Sequence, residues 1–404
     1  MKHRRFLAAL LAAAVLCPLV ALAAGEKNVD NLPTGNLEGF ESSITWFGED
    51  FAYDITDEEA CWELLQRPIT VLDVSEKELV YPRVSPNGEK VVNEWMGGSI
   101  NGSLAAVHVL GEDEDGWTLI EGMDYYDRII RGYVKTSLLK TVTPNNKYGI
   151  IIDKLTQRLY MFIDGKLWSS CAVSTGLPNK DQPYNETAAG EYLIGSWVGG
   201  FDSEGMYCEM GIRFNGGDLL HQVPYVEFAD GTKDFSKYGS QLGRKASHGC
   251  VRVARTANDE GLCISWLWEN LKKNTKVVVW DDDGRTLPYP DDDLEVYYNP
   301  DGGTSYHATA TCRSVRDKYL PLIAFTYGEL DSGKYASLTG CTNCIPVKRR
   351  AEIDEINQER IDLGELLKNP VYTGGATTGG GAQADGSAAS DSSEASDGVT
   401  ITIR

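Results

Sequence analysis

Residues 247–252 have the sequence Ser-His-Gly-Cys-Val-Arg and combine the residue types that acyl transfer to a thiol requires. A thiolate is a strong nucleophile, and His248 lies two residues before Cys250. Gly249 would let a substrate carbonyl approach the backbone closely, and backbone N–H groups near Cys250 would stabilise the oxyanion that forms. A buried structural cysteine beside a core histidine is the alternative interpretation, since unreactive cysteines are common in protein cores.

A second group of chemically capable residues follows in the C-terminal third of the chain. His307 and Cys312 are separated by four residues, and Cys341 and Cys344 by two. One imidazole and three thiolates suit a tetrahedral structural zinc, and four protein ligands would leave no position open for catalysis. A disulfide between two of the cysteines and a set of free thiols are the alternatives, because an exported protein meets oxidising conditions.

The first group resembles the active-site motif of the L,D-transpeptidase (YkuD-type) family, whose members cross-link bacterial peptidoglycan. Two further segments are similar to that family. Residues 173–176 contain its Ser-Thr-Gly stretch, and Thr-Ala-Ala-Gly at 187–190 matches its Thr-Pro-x-Gly turn. Ala188 replaces the usual proline, which changes the rigidity of the turn rather than the chemistry.

The resemblance implies a role for each residue of the site. Cys250 is the nucleophile, His221 is the general base upstream of the motif, and His248 shapes the loop and the oxyanion environment. The substrate-binding candidates beside them are Ser247, Gly249 and Arg252. Arg252 would either bind a substrate carboxylate bidentately or form a structural ion pair beneath the loop.

The sequence around His221 departs from the family in two respects. Gln222 follows the histidine where glycine is commoner, although a backbone carbonyl would still orient the imidazole as the third member of a triad. The segment from His221 to Ser247 is also longer than usual. Its acidic and glycine residues predict an inserted loop rather than the loss of the base.

These features predict an exported cysteine L,D-transpeptidase that acts on peptidoglycan stem peptides at the cell-wall surface. The transpeptidase site needs no cofactor, and the chain has neither a phosphate-binding glycine-rich loop nor a His-Glu-x-x-His motif. An L,D-carboxypeptidase would use the same residues, with water in place of the acceptor amine. A non-catalytic wall-binding protein is expected to lack the cysteine or its base, and a redox or metal-storage protein leaves residues 247–252 unexplained.

The elements that must position this chemistry are mostly strands. Residues 147–282 alternate short apolar runs with turn signals, which predicts a mostly β catalytic domain of the β-sandwich type. Asp164-Gly165 predicts a tight hairpin turn. The predicted strands span residues 148–152, 159–163, 167–174 and 276–280.

A helix is expected after the nucleophile motif. Thr256-Ala-Asn-Asp259 has the pattern of a capping box, and Cys263, Trp266 and Leu267 follow at helical spacing. Cys263 is therefore predicted to be a core residue of that helix.

The flanking regions divide into smaller units. Residues 65–140 contain short strands and weakly resemble a bacterial Src-homology-3-like barrel, residues 296–348 hold the His/Cys group, and residues 349–370 are loosely amphipathic. Residues 374–404 are rich in Gly, Ala, Ser and Thr and predict a flexible low-complexity tail.

The N-terminus and the charge bear on location and partners. Residues 1–23 have the basic start, apolar run and small-residue site of a secretory signal peptide, followed by an acidic leader at 24–60. An uncleaved membrane anchor is the alternative, although the apolar run is borderline in length for a span. The net charge of −21 argues against nucleic acid as a partner.

Overall fold

The computed structural model describes residues 52–368, except residues 94, 95, 113, 114, 127, 181 and 204. The predicted signal peptide at 1–23, most of the predicted leader and the predicted tail at 374–404 lie outside the described residues. Over the described residues, no helix has both the length and the apolar character that a membrane span requires.

The fold is mostly β, as predicted. The α-helices of the described chain are α1 (Glu58–Gln66), α2 (Ser236–Gly239), α3 (Ile264–Asn270) and α4 (Arg350–Lys368). The strands before the catalytic region are β1 (Ile69–Leu72), β2 (Leu79–Val80), β3 (Ile100–Asn101), β4 (His108–Glu112), β5 (Trp117–Met123), β6 (Ile129–Lys135) and β7 (Leu139–Val142). They form the pairs β1-β7 and β2-β3 and the three-stranded sheet β4-β5-β6. The likeness of this region to a Src-homology-3-like barrel stays a prediction.

A nine-stranded sheet occupies the centre of the chain, in the order β11-β18-β8-β9-β10-β17-β14-β13-β12. A separate two-stranded hairpin pairs β15 with β16. The strands of this region are β8 (Tyr148–Asp153), β9 (Arg158–Ile163), β10 (Lys166–Ser174), β11 (Gly190–Leu193), β12 (Trp197–Ser203), β13 (Met206–Arg213), β14 (Leu219–Gln222), β15 (Val226–Glu227), β16 (Lys233–Asp234), β17 (Val251–Val253) and β18 (Lys276–Trp280).

The hairpin from β9 to β10 forms where the sequence predicts it. Asp164 and Gly165 both have positive φ, at 49° and 87°, so the turn twists in the sense that the strands require. Ile163 pairs with Lys166 across that turn, and the ladder continues through β10.

Strands β8 and β18 are largely apolar, and every residue of both is buried. Ile150 and Ile152 of β8 contribute to the largest core cluster, whereas Ile151 between them packs on the opposite face with Leu65 of α1 and Trp280 of β18. Successive side chains point to opposite faces of a strand, so a strand covered on both sides reads as an unbroken apolar run.

Helix α1 covers the second face of the sheet. The Asp57 side chain caps its N-terminus by accepting from the Ala60 N–H at 3.0 Å. Cys61, Leu64 and Leu65, at helical spacing, form its buried side. Residues 58–60, at the end of the predicted leader, therefore belong to a packed helix.

The helix predicted to open at residues 256–259 begins later. Helix α3 starts at Ile264, with Cys263 as its N-cap, and ends at Asn270. Instead of capping a helix, the Asn258 side chain accepts from the Leu262 N–H at 2.8 Å and holds the preceding loop. Asparagine favours such local hydrogen bonds in loops, which explains why the helix does not begin at the predicted residues. Cys263 is buried, as predicted.

The predicted insertion between His221 and Ser247 consists of the β15-β16 hairpin followed by α2. The C-terminal module has its own four-stranded sheet, ordered β21-β19-β20-β22, and its own apolar core. Its strands are β19 (Glu295–Tyr298), β20 (Ser305–His307), β21 (Ile323–Thr326) and β22 (Thr339–Gly340). Helix α4 follows this module, close to the predicted amphipathic segment at 349–370.

Candidate active site

Two adjacent strands bring the predicted nucleophile and base together. Strand β14 pairs in parallel with β17, and the register aligns His221 with Arg252 and Leu220 with Val251. Cys250 immediately precedes β17, so it lies at the same end of this strand pair as Leu219. The sequence alone places these two segments on either side of an insertion. The parallel pairing places them side by side.

The Cys250 thiol is enclosed and neutral. Only 3% of the residue is exposed, and it packs with Phe201, Cys208 and Leu219. Burial raises the pKa of the thiol to about 12, and the nearby Asp218 carboxylate acts in the same direction. Arg252 opposes this effect without overcoming it.

His221 is held as a neutral imidazole of one tautomer. Its Nδ1 lies 2.7 Å from the carbonyl oxygen of Gln222. A carbonyl only accepts, so Nδ1 carries the proton and Nε2 keeps a lone pair. Burial, reinforced by the positive charge of Arg252, lowers the pKa of His221 to about 3. The ring is also packed edge-to-face against Phe201 at 5.4 Å.

The loop that carries Cys250 is fixed by a chain of hydrogen bonds. The Ser247 hydroxyl donates to the Cys250 carbonyl oxygen, so this predicted substrate-binding group is engaged within the loop. The Thr187 hydroxyl donates to the Gly249 carbonyl at 2.6 Å and accepts from the Gly176 N–H at 2.8 Å. Thr187 therefore connects the three sequence segments that resemble the transpeptidase family.

Gly249 could not be replaced without strain. Its φ is +118°, and an added Cβ would lie 2.6 Å from Oδ1 of Asp218. With this backbone conformation, the N–H groups of His248, Gly249 and Cys250 donate to no acceptor among the described residues. Successive free N–H groups beside the Cys250 thiol are suited to stabilising an oxyanion.

Arg252 and His248 differ in their surroundings. Arg252 is buried, donates to Oε1 of Gln241 at 2.7 Å and lies 5.4 Å from the Tyr238 ring centre. Within the described part of the chain no carboxylate pairs with it, so the structural ion pair is not observed there. His248 is half-buried, and its ring makes no hydrogen bond to any described residue.

Asp218 and Cys208 also face this site, although nothing in the sequence marks them. Burial raises the pKa of Asp218 to about 6, against the opposing effects of Asn215 and Arg213. Asp218 follows two glycines and has the pattern of an ordinary turn residue. Cys208 lies on β13, and the strand order β17-β14-β13 brings it near Cys250.

A network of buried ion pairs lies next to the segments that hydrogen-bond the Cys250 loop. Glu186, next to Thr187, accepts from Lys154 at 2.6 Å and from Lys245 at 2.8 Å. Lys245 also pairs with Asp282 at 2.9 Å, and Asp282 pairs with Arg360 of α4 at 2.7 Å. Burial alone would lower the pKa of Lys154, but the surrounding carboxylates raise it well above its usual value.

A large cleft of the described chain lies away from this site. It has a volume of 740 Å³ and separates the catalytic sheet from the C-terminal module. Ser170, Phe235 and Asn258 line it on one side, and Thr309 and Cys344 line it on the other. Neither Cys250 nor His221 contributes to its walls.

Residues 147–279 match the YkuD family model, described as the L,D-transpeptidase catalytic domain. No curated protein matches the chain. One similar solved structure is a fused Zn-dependent amidase/peptidase/peptidoglycan-binding domain-containing protein from Clostridium acetobutylicum, with 19% identity and a TM-score of 0.24. The match covers 34% of this chain and 55% of that one, so it spans little more than half of the Clostridium protein.

Two further similar structures are L,D-transpeptidases. The one from Mycobacterium smegmatis has 11% identity and a TM-score of 0.24, over 43% of this chain and 82% of that one. The catalytic domain from E. faecium has 16% identity and a TM-score of 0.24, over 34% of this chain and 98% of that one.

A neutral thiol predicts a distinctive pH profile for alkylation of Cys250. Because its pKa is raised to about 12, the iodoacetamide rate constant should rise about tenfold per pH unit from pH 7 to pH 9.5, without levelling. Peptide-resolved mass spectrometry measures this rate, and the urea-unfolded chain, levelling near pH 9, is the control. If the rate constant of the folded protein levelled off below pH 7, Cys250 would be a preformed thiolate, which would contradict a neutral thiol.

Asp218→Asn should accelerate the same alkylation several-fold at pH 8, because it removes the negative charge that raises the thiol pKa. Asp230→Asn, on the exposed turn between β15 and β16, is the matched control and should leave the rate unchanged. An unchanged rate in folded Asp218→Asn protein would mean that the Asp218 charge does not affect the pKa of the Cys250 thiol.

Lys245→Met should destabilise the protein by about 3 kcal/mol, because it leaves buried carboxylates with fewer partners. Urea unfolding followed by tryptophan fluorescence measures the loss. Lys166→Met removes an exposed ion pair with Glu58 and should leave the unfolding midpoint in place. Equal midpoints for the two variants would mean that the network adds no stability.

Proposed function

We propose that this protein is an exported cysteine L,D-transpeptidase that cross-links or remodels peptidoglycan stem peptides through a thioester on Cys250. The family match of residues 147–279 supports the class of enzyme. The observation that carries the proposal is the pairing of β14 with β17, which sets His221 and Cys250 at neighbouring strands with a free Nε2 on the imidazole.

Acylation begins from two neutral groups in this proposal. Nε2 of His221 takes the thiol proton as the Cys250 sulfur attacks the carbonyl between an L-centre and a D-residue of the stem peptide. The backbone N–H groups of Gly249 and Cys250 stabilise the oxyanion. When the C–N bond breaks, the leaving D-residue takes the proton from His221 as its amine departs, and the thioester remains.

The second step reverses the proton transfers. An amine from a second stem peptide attacks the thioester and gives its proton to His221. The C–S bond breaks, and the sulfur recovers a proton from the imidazolium. The Gln222 carbonyl stabilises that imidazolium as it forms, since it accepts from Nδ1 throughout. Arg252 has the opposite effect on the imidazolium and favours the negative charge that develops on sulfur.

The burial of the site requires that substrate binding uncover it. Cys250 and His221 are each only 3% exposed, and Phe201 of β12 contacts both of them. In this proposal the stem peptide displaces Phe201, which is itself buried against Cys250 in the same apolar cluster. Residues 1–23 supply the export signal, and the cell wall is the place of action.

A carbapenem tests whether Cys250 is an acyl acceptor. Intact-protein mass spectrometry should find one covalent adduct on the wild-type chain and none on Cys250→Ala. Cys208→Ala, which changes a buried cysteine in the same apolar cluster, should keep the adduct. A folded wild-type chain that forms no adduct would favour a wall-binding protein over an enzyme.

His221→Ala should slow acylation about 10²- to 10⁴-fold, the usual contribution of a general base. His248→Ala should have a small effect, since its ring is half-buried and makes no contact that fixes it as a base. Single-turnover acylation measures both rates. The reverse order of effects would move the base to His248. With stem peptides as substrates, cross-linked product supports transpeptidation, and release of the D-amino acid alone identifies an L,D-carboxypeptidase.

A further inference from the structure

The four residues of the C-terminal His/Cys group converge in space. The potential ligand atoms of His307, Cys312, Cys341 and Cys344 all lie within 4.8 Å of one another. Strands β20 and β22 pair in parallel, with Tyr306 aligned to Gly340. His307 is the last residue of β20 and Cys341 directly follows β22, so the strand pairing brings these two residues together.

The separations within this group fit a tetrahedral zinc ion. The Cys312 and Cys341 sulfurs are 3.9 Å apart, and the Cys344 sulfur is 3.6 Å from Nδ1 of His307. Zinc bonds of about 2.3 Å to sulfur and 2.0–2.1 Å to nitrogen at tetrahedral angles give edges of about 3.8 Å and 3.6 Å. These four atoms therefore surround a space of the right size for the ion.

Hydrogen-bond donors around the sulfurs favour thiolates. The Asn343 N–H donates to the Cys341 sulfur at 3.4 Å, and the Ala308 N–H donates to the Cys344 sulfur at 3.3 Å. The Asn343 side-chain amide points to the Cys312 sulfur at 3.6 Å. Each of the three sulfurs thus has a hydrogen-bond donor, and such donors commonly surround the ligands of a metal site.

We propose that His307, Cys312, Cys341 and Cys344 bind one Zn²⁺ in a closed structural site. A disulfide would use two of the cysteines and leave the convergence of His307 and the third unexplained. His307, Cys312 and Cys341 are buried, and four protein ligands complete the coordination of zinc.

The zinc also shapes the cleft beside the catalytic domain. Cys344 and its neighbours Thr342, Asn343 and Ile345 form one wall of the 740 Å³ cleft, opposite residues of the catalytic sheet. The module that holds them has a small apolar core, so metal binding contributes directly to its folded state. The ion therefore fixes the wall of the cleft without taking part in catalysis at Cys250.

The test is metal analysis of the full chain, purified under reducing conditions and dialysed against zinc and then against zinc-free buffer. Inductively coupled plasma mass spectrometry should find one zinc per chain. Cobalt in its place should give the visible absorption of a tetrahedral cobalt–thiolate centre. Cys344→Ser should lower the retained zinc at least tenfold, and Cys344→His, which restores a ligand, should recover it.

Cys263→Ser is the matched control, because it changes a buried cysteine outside the group and should keep one zinc per chain. Should Cys344→Ser fail to fold, cobalt spectra of the wild-type chain still decide the question. A folded wild-type chain without bound metal overturns the proposal. Thiol titration then identifies the alternative: a disulfide if two thiols react only after reduction, and free thiols if all of them react at once. The carbapenem adduct on Cys250 is measured in a separate experiment, so the zinc proposal and the transpeptidase proposal can each fail without the other.

Discussion

The parallel pairing of β14 with β17 is the constraint on which the candidate site depends. It aligns His221 with Arg252 and places Cys250 at the end of the adjoining strand. Parallel neighbours require a crossover between them, and the β15-β16 hairpin with α2 occupies that crossover. The ladder fixes the positions of His221 and Cys250, and two residues of the crossover, Gln241 and Tyr238, contact Arg252.

Burial then sets the charge state of the two groups. Desolvation disfavours both a thiolate and an imidazolium, so it raises the pKa of Cys250 and lowers that of His221. The resting pair is consequently uncharged, and charge develops only as the reaction proceeds. Free backbone N–H groups near the sulfur are suited to this situation, since they stabilise an oxyanion without stabilising a resting ion pair.

The loop that carries Cys250 is bonded to distant parts of the chain. Thr187 connects it to Gly176, and Lys245 connects it through Asp282 to Arg360 of the C-terminal helix. Buried ions with several partners hold their geometry, because the loss of one partner leaves another charge without compensation. The C-terminal helix is thus bonded to the central domain, and the module that holds the His/Cys group directly precedes this helix.

Local patterns in the sequence were enough to identify the motif at residues 247–252, the Asp164-Gly165 hairpin, the apolar strands of the sheet and the four residues of the His/Cys group. Each of these depends on neighbours within a few positions. The positions of Asp218 and Cys208 beside the site and the hydrogen bonds through Thr187 were decided only by the tertiary structure. The same holds for the neutral state of Cys250 and His221. Strands pair with partners that are far away in the sequence, and pKa shifts follow from burial in the folded protein. The spacing of residues along the chain determines neither of them.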